Sequence, residues 1–583
     1  MMADLPSIAV IADAHFHDLD SNYDGARTML GERHVTLRSW KDTRRSSRVF
    51  NESAQAFRTA LNNIRQHGIH HVVLLGDYTD DGQIEATTRL AELLKEYQQE
   101  YAMAFYAIPG NHDFYGPAGK HQSTRFVTAP NSTVLVTSDP EVAATEPDTS
   151  VLTRKIYCEG TPASLMPMAE YGLFRQAEYR YWETPFGQCD SPASRMFDAR
   201  SADGNTVHRL MDASYLVEAS KGLWLLMIDA NVFEPRNGRT DPNRKSTFLN
   251  SSDAGWNAVL RVKPFLIDWI KDVYARASHS GKAVYAFSHY PIMDPFDDAA
   301  GQEAQLFGNN ENIRRSPKHK VASTLAKAGL KLHFSGHMHV NATTQKQYEQ
   351  SQIIDIAAPS IVAFPPAFKL LHPEADGCRI DTVALNDMSV DPLLMSAYRA
   401  ESDASKETHC LALNATNFGE FHYLRMRSRT IHHYLAKEWP QGLAVEIEGT
   451  NAADLILLLL MQRKTSDALS FGSLHDKVST DLQSEFDLLI ERYSLLEDDI
   501  TACTMTTLVS DWYCLRHAGP LAKPFINSTN LRIYQLLSDT LTSPSTHSSD
   551  SHAEFFSVFL SMFKQALERL EQNTTVMIAE ESA

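Results

Sequence analysis

Short apolar runs recur through the first four hundred residues, each followed by a stretch whose apolar positions fall three and four apart. Ile8-Ala-Val-Ile-Ala12 reads as a buried strand. Asn51 to His67 then shows Phe57, Leu61 and Ile64 at helical spacing, with Asn51 as its cap. His71 to Leu75 is the next strand, and Ile84 to Tyr97 is a helix with Leu90, Leu93, Leu94 and Tyr97 on one face. Met103–Ile108, Leu223–Ile228, Val284–Phe287, Leu332–Phe334 and Ile353–Ile356 read as further strands, alternating with helices around Phe265–Ala277 and Val321–Ala328. Strands alternating with helices predict α/β layers, a sheet sandwich with outer helices.

Residues 115–220 interrupt this rhythm. They are rich in Pro, Ser, Thr and Asp and read as long insertions over one edge of the sheet. From about residue 400 the pattern becomes helix after helix: Ala453–Arg463, Leu482–Leu495, Ile500–Arg516, Asn530–Leu541 and Phe555–Leu570. Ser543–Ser551 reads as a loop between the last two, and Gln572–Ala583 as a frayed end. The expected division is therefore 1–400, a catalytic α/β domain carrying the insertion, and 401–583, a helical C-terminal domain.

Composition narrows the class. The 583 residues are 43% hydrophobic and 22% charged, which suits a globular protein with a sizeable core and excludes rods, collagen and wholesale disorder. The formal net charge of −18 opposes bulk nucleic-acid binding and anionic lipid surfaces. Six scattered cysteines without a CxxC pair form neither a disulfide framework nor a thiolate zinc site, and read as reduced thiols of a cytoplasmic protein. The first residues lack a basic segment, and the Ile8–Ala12 run is too short for a signal peptide. Leu455–Met461, the longest apolar run elsewhere, is far below the ~20 residues that span a bilayer and reads as a buried helix.

Five polar signals sit just after predicted strands: Asp13-Ala-His15, Gly76-Asp77-Tyr-Thr-Asp80, Gly110-Asn111-His112-Asp113, Ser288-His289-Tyr-Pro291 and Gly336-His337-Met-His339. Any one of them alone is an ordinary turn, cap or packed histidine. Together, in order and at strand ends where an open α/β sheet presents its ligand site, they offer oxygen and imidazole donors suited to hard or borderline divalent metals.

These residues resemble the calcineurin-like metallophosphoesterase superfamily, whose pattern is D-x-H, G-D-x-x-D, G-N-H-D/E, H and G-H-x-H. The likeness spans roughly residues 8–360 with no ligand position replaced. It implies a four-layer αββα sandwich and two divalent ions, manganese or iron first and zinc or magnesium next. One ion would lie on Asp13, His15, Asp77 and His339, the other on Asp77, Asn111, His289 and His337, with Asp77 shared. In such a site a hydroxide bridging two cations attacks phosphorus in line. His112 would protonate the leaving alkoxide, held over the site by Asp113.

The Gly76–Gly82 and Ile108–Asp113 segments look like the class III cyclic-nucleotide phosphodiesterase branch, and Thr43–Glu52 and Leu223–Asp229 with Asn231 resemble bacterial members with a helical extension. The expected substrate is thus a small phosphodiester. The alternatives are a nucleotide or sugar phosphomonoester, a nuclease substrate, or a non-enzymatic scaffold. Arg38, Lys41, Arg44, Arg45 and Arg48 read as a solvated loop or as an attractor for an anionic substrate; Asn341 reads as a substrate contact or a cap. Tyr78 reads as packing or a substrate contact, and Trp256 and Trp269 as core. A homo-oligomer through the C-terminal helices, and no membrane partner, complete the expectations.

Overall fold

A computed structural model describes the chain except residues 1–4, 131, 297, 350, 376, 406–409, 466–468, 475–477, 542–551, 572–574 and 580–583. The loop expected at 543–551 lies outside the described residues. Two mixed sheets with flanking helices form the α/β part of the chain. In the first, the parallel strands Ile8–Ile11, His71–Leu75 and Ala104–Ile108 lie side by side. The antiparallel strands Ala367–Glu374, Gly377–Ala384 and Thr575–Ala579 continue it on the far side of Ile8–Ile11.

In the second sheet, Leu223–Ile228, Ala283–Ser288, Leu332–Ser335 and Ser351–Ala357 run parallel, flanked by Tyr215–Ser220 and Ala342–Tyr348. The parallel strands are apolar and buried along their length, as strands covered on both faces must be. Helices Ser53–Gln66 and Ile84–Tyr101 follow the first two strands, and Phe265–Ser280 precedes Ala283–Ser288. Their apolar stripes (Phe57, Leu61, Ile64; Leu90, Leu94; Leu266, Ile270, Val273) are fully buried. Trp256 and Trp269 are core residues, and Leu455–Met461 lies in a buried helix.

Three expectations change. Asn51 is not a helix cap: its amide exchanges hydrogen bonds with the Arg38 backbone and donates to the Tyr398 hydroxyl. The 115–220 stretch is not irregular. It contains the hairpin Ser123–Ala129/Ser132–Thr137, the hairpin Met196–Arg200/Val207–Met211, and Tyr215–Ser220, which belongs to the main second sheet. Thr- and Ser-rich strands with one exposed face hide their period among turn-forming residues. Within the end expected to fray, Thr575–Ala579 is an edge strand, anchored by Thr575 donating to Asp381 at 2.6 Å.

The chain divides into two units that interleave in sequence, where the change of pattern predicts one cut at 400. One unit comprises Met1–Pro295, Arg315–Phe421 and Thr575–Ala583; the other comprises Phe296–Arg314 and His422–Thr574. The second is helical and packed around aromatic contacts such as Trp512 and Trp439 with Phe559. Among the described residues no helix is long and apolar enough to cross a membrane.

Candidate metal centre

All five signals emerge from the C-terminal ends of parallel strands, three from the first sheet and two from the second. Their backbones are knitted together before any side chain acts. The Asp13 amide donates to Gly76 O (3.1 Å), His15 to Asp77 O (2.8 Å) and Gly336 to His289 O (2.9 Å). The turns are strained: Asp13, His15, Asp77, His337 and His339 all have φ between 39° and 68°. Non-glycine residues hold that left-handed region only where surrounding contacts over-determine them.

Two of the signal glycines serve a purpose other than turning. A Cβ on Gly110 would lie 2.2 Å from Asp77 Oδ1, and one on Gly336 would lie 2.5 Å from Asp13 Oδ2. Each glycine therefore makes room for the carboxylate of another signal. Backbone amides then orient those carboxylates: His112 N–H donates to Asp77 Oδ1 at 2.7 Å, and His337 N–H donates to Asp13 Oδ2 at 2.9 Å.

The donor atoms converge. Asp13, His15 and His339 form one group whose ligand atoms all lie within 4.8 Å of one another; Asp77, His289 and His337 form a second; His15, Asp77 and His112 overlap both. Neighbouring donors are 3.2 Å apart for His15 Nε2–His339 Nε2, 3.2 Å for His339 Nε2–Asp13 Oδ1, 3.3 Å for His289 Nε2–Asp77 Oδ2 and 3.2 Å for His289 Nε2–Asn111 Oδ1. Ligands about 2.0–2.2 Å from a shared cation in tetrahedral or octahedral array stand roughly 2.8–3.6 Å apart, so these edges fit divalent ions.

Outer partners select the ligating nitrogen. His289 Nδ1 faces Leu75 O at 3.0 Å, which leaves Nε2 toward the cluster, whereas His337 Nε2 faces Ser252 O at 3.0 Å, which leaves Nδ1. The seven expected ligands are thus brought together, with Asp77 between the two groups.

Charge within the cluster is uneven. Burial would raise the Asp77 carboxyl, but His289, His112 and His15 outweigh it and hold the group well below its ordinary range. Burial lowers His15, with Arg48 and His112 adding to the effect. Burial also lowers His337, helped by His289 and Arg315. His289 is pushed up to about 9 because Asp77 and Asp13 overcome its burial. His112 is likewise raised: burial opposes the charged ring, and Asp77 and Asp81 prevail over it.

The role expected of Asp113 needs correction. His112 Nδ1 pairs with Asp81 Oδ1 at 3.0 Å, so Asp81 is the carboxylate that orients the ring. Asp113 turns away and accepts from Gly110 N (2.7 Å), Thr79 N (3.0 Å) and Thr79 Oγ1 (3.0 Å), clamping the second and third signal loops together. Its carboxyl is pushed up to about 7 by burial and by the charge of Asp77.

The basic stretch is a solvated loop only in part: Trp40–Arg45 is a short helix with Lys41 and Arg45 exposed, whereas its two ends are paired. Arg38 and Arg48 both bind Asp80, at 3.0 and 2.8 Å, and both stack on Phe50. Asn341 is buried and accepts from Lys369 Nζ, and Tyr78 is buried packing.

The cluster has a donor set and spacing suited to divalent cations. Residues 6–181 match the sequence model of the calcineurin-like phosphoesterases. That stretch carries the first three signals, and it is this part of the chain that is similar to the family. No curated protein matches the chain. Among solved structures it is similar to a dimetal phosphatase from Danio rerio, at 14% identity and TM-score 0.33, covering 65% of this chain and 95% of that one. It is also similar to the phosphopantetheinyl hydrolase of Mycobacterium tuberculosis, at 12% identity and TM-score 0.23, covering 62% and 91%.

Proposed function

We propose that the protein hydrolyses a small phosphodiester, a cyclic nucleotide being the leading candidate, with two divalent cations, manganese or iron before zinc or magnesium. The observation that supports this most is Asp77 standing between two donor groups, with Asp13, His15 and His339 on one side and Asn111, His289 and His337 on the other. When bound, such cations activate water and neutralise charge on the phosphoryl group.

The chain's own residues supply the rest. Asp13, His15, Asp77 and His339 would hold one cation, and Asp77, Asn111, His289 and His337 the other. His112 has the more exposed side chain, 26% accessible against 14% for His339, and its Nε2 lies 4.0 Å from Asp77 Oδ2. With Nδ1 tied to Asp81, its Nε2 is free to give a proton to the departing alkoxide. The phosphodiester preference rests on the likeness of the Gly76–Gly82 and Ile108–Asp113 segments to cyclic-nucleotide phosphodiesterases. The cytoplasmic placement rests on cysteine usage.

A phosphomonoester is the second reading, favoured by one observation. Arg48, paired with Asp80, stands close enough to His15 and His112 for its charge to act on both, and a dianionic substrate at the cluster would meet that cation. Hydrolysis of bis(p-nitrophenyl) phosphate against p-nitrophenyl phosphate, with each metal and with chelator, separates the two. Metal-dependent diester turnover is the expected result. With a diester whose leaving alkoxide needs a proton it falls ~10²–10⁴-fold in His112→Ala, the p-nitrophenyl ester being less sensitive because its leaving group departs as an anion. A preference for the monoester would refute the diesterase reading, and turnover surviving the chelator would refute metal dependence.

A further inference from the structure

Two residues outside the ligand set tie together the loops that carry Asn111, His289 and His337. Asn231, 2% exposed, follows the strand Leu223–Ile228. Its side-chain amide donates to Pro109 O at 2.8 Å, two residues before Asn111. Its orientation is fixed from behind by Asp229, whose Oδ1 accepts from the Asn231 backbone amide (3.0 Å) and Nδ2 (3.1 Å). Asp229 is held in turn by buried Lys263, at 2.9 Å.

The remaining acceptor, Asn231 Oδ1, faces the Tyr290 hydroxyl at 3.2 Å, and that hydroxyl donates to Ser251 O at 2.8 Å. Tyr290 is the residue after His289. Ser251 precedes Ser252, whose carbonyl receives His337 Nε2 at 3.0 Å and whose hydroxyl receives Asn111 Nδ2 at 3.2 Å.

The local backbone is shaped around this tyrosine. The helix Ser251–Val262 is broken at Gly255, which adopts φ 44° and ψ −148°. A Cβ there would lie 2.9 Å from Tyr290 Cδ1. The Tyr290 ring packs 4.5 Å from the His337 ring, centroid to centroid. Phenylalanine would satisfy that packing equally well, so the hydroxyl is the informative group. Its single proton lies between Asn231 Oδ1 and Ser251 O, and those residues connect onward, Asn231 to Pro109 before Asn111 and Ser251 through its neighbour Ser252 to His337.

An amide oxygen is a weak, neutral donor, and it holds a cation only if geometry keeps it in place. We infer that Tyr290 and Asn231 are a positioning pair that fixes Asn111 and the ligating nitrogen of His337, and thereby sets the affinity of the second cation without touching the first. This inference rests on the dinuclear reading above.

The test is Tyr290→Phe, freed of metal with chelator and titrated with Mn²⁺ by calorimetry beside the wild type, with the melting temperature of each metal-free protein recorded. Wild type takes two equivalents. In the variant one equivalent keeps its affinity and the other weakens ~10–100-fold. Diester turnover returns as Mn²⁺ is raised, and the metal-free melting temperature stays near wild type. Two undisturbed equivalents would overturn the inference. So would equal weakening of both together with a lowered metal-free melting temperature, the mark of a contact that only stabilises the fold. Should Tyr290→Phe not fold, Asn231→Ala carries the same comparison. A wild type that binds fewer than two equivalents overturns the dinuclear reading itself, and this inference with it.

Discussion

Adding a single methyl group at Gly110 should disable the centre. Gly110 has no left-handed φ, so alanine meets no backbone strain there. It meets Asp77 instead: the new Cβ would lie 2.2 Å from Asp77 Oδ1, 2.4 Å from the Asp77 amide nitrogen and 2.8 Å from Asp77 Cγ. Ordinary contact needs about 3.4 Å, so the carboxylate or the loop must retreat by about 1 Å, and a misplacement of that size costs on the order of 10²-fold in rate. Rotation of the carboxylate offers no relief, because Oδ1 is already held at 2.7 Å by His112 N–H and Oδ2 faces His289 Nε2 at 3.3 Å. Asp77 stands between both donor groups, so Gly110→Ala should weaken both metals together and reduce diester turnover ~10²-fold, about 2.7 kcal/mol in the barrier. Gly442→Ala is the control, a helical glycine where the added methyl would find nothing within 4 Å. It should leave metal binding unchanged and stabilise slightly. Metal stoichiometry by elemental analysis, together with steady-state turnover, reads both variants. Gly110→Ala retaining two metals and near-wild-type turnover would refute the claim that the glycine exists to admit the carboxylate.

The two carboxylates near His112 should separate by phenotype. Asp81→Asn should lower turnover about tenfold or more with metal content unchanged, because it loosens the proton donor alone; an equal loss of metal would contradict that assignment. Asp113→Ala, by contrast, strips acceptors from the buried Thr79 and Gly110 amides and should destabilise the protein by about 1–3 kcal/mol for each amide left unpaired, read by denaturant unfolding. Lys263→Met leaves Asp212 and Asp229 buried without their cation and should cost about 3–5 kcal/mol in the same assay, whereas a loss under about 1 kcal/mol would show that neighbouring groups already neutralise the pair.

What was legible in the sequence and what was not divides along a physical line. The converging donor residues were legible because cation chemistry favours particular residue types, and the α/β architecture puts them at strand ends, so both type and place leave a mark within a few residues. Orientation leaves no such mark. His112 and Asp113 are adjacent in sequence, yet their side chains leave the loop in different directions, and the partner of His112 lies 31 positions away at Asp81. Asn231, Tyr290 and Ser252 meet only through tertiary folding, and each alone is an ordinary polar residue beside a strand or a helix start. The glycines were legible as residues but not in their cause, since the need for space at Gly110 and Gly336 comes from carboxylates contributed by other strands. The left-handed backbone of Asp13, His15, Asp77, His337 and His339 was invisible for the same reason: local propensity opposes it, and long-range bonds impose it. Reading such a cluster from sequence therefore finds the candidate donor residues, while the strain and the outer hydrogen bonds that set their geometry belong to the fold as a whole.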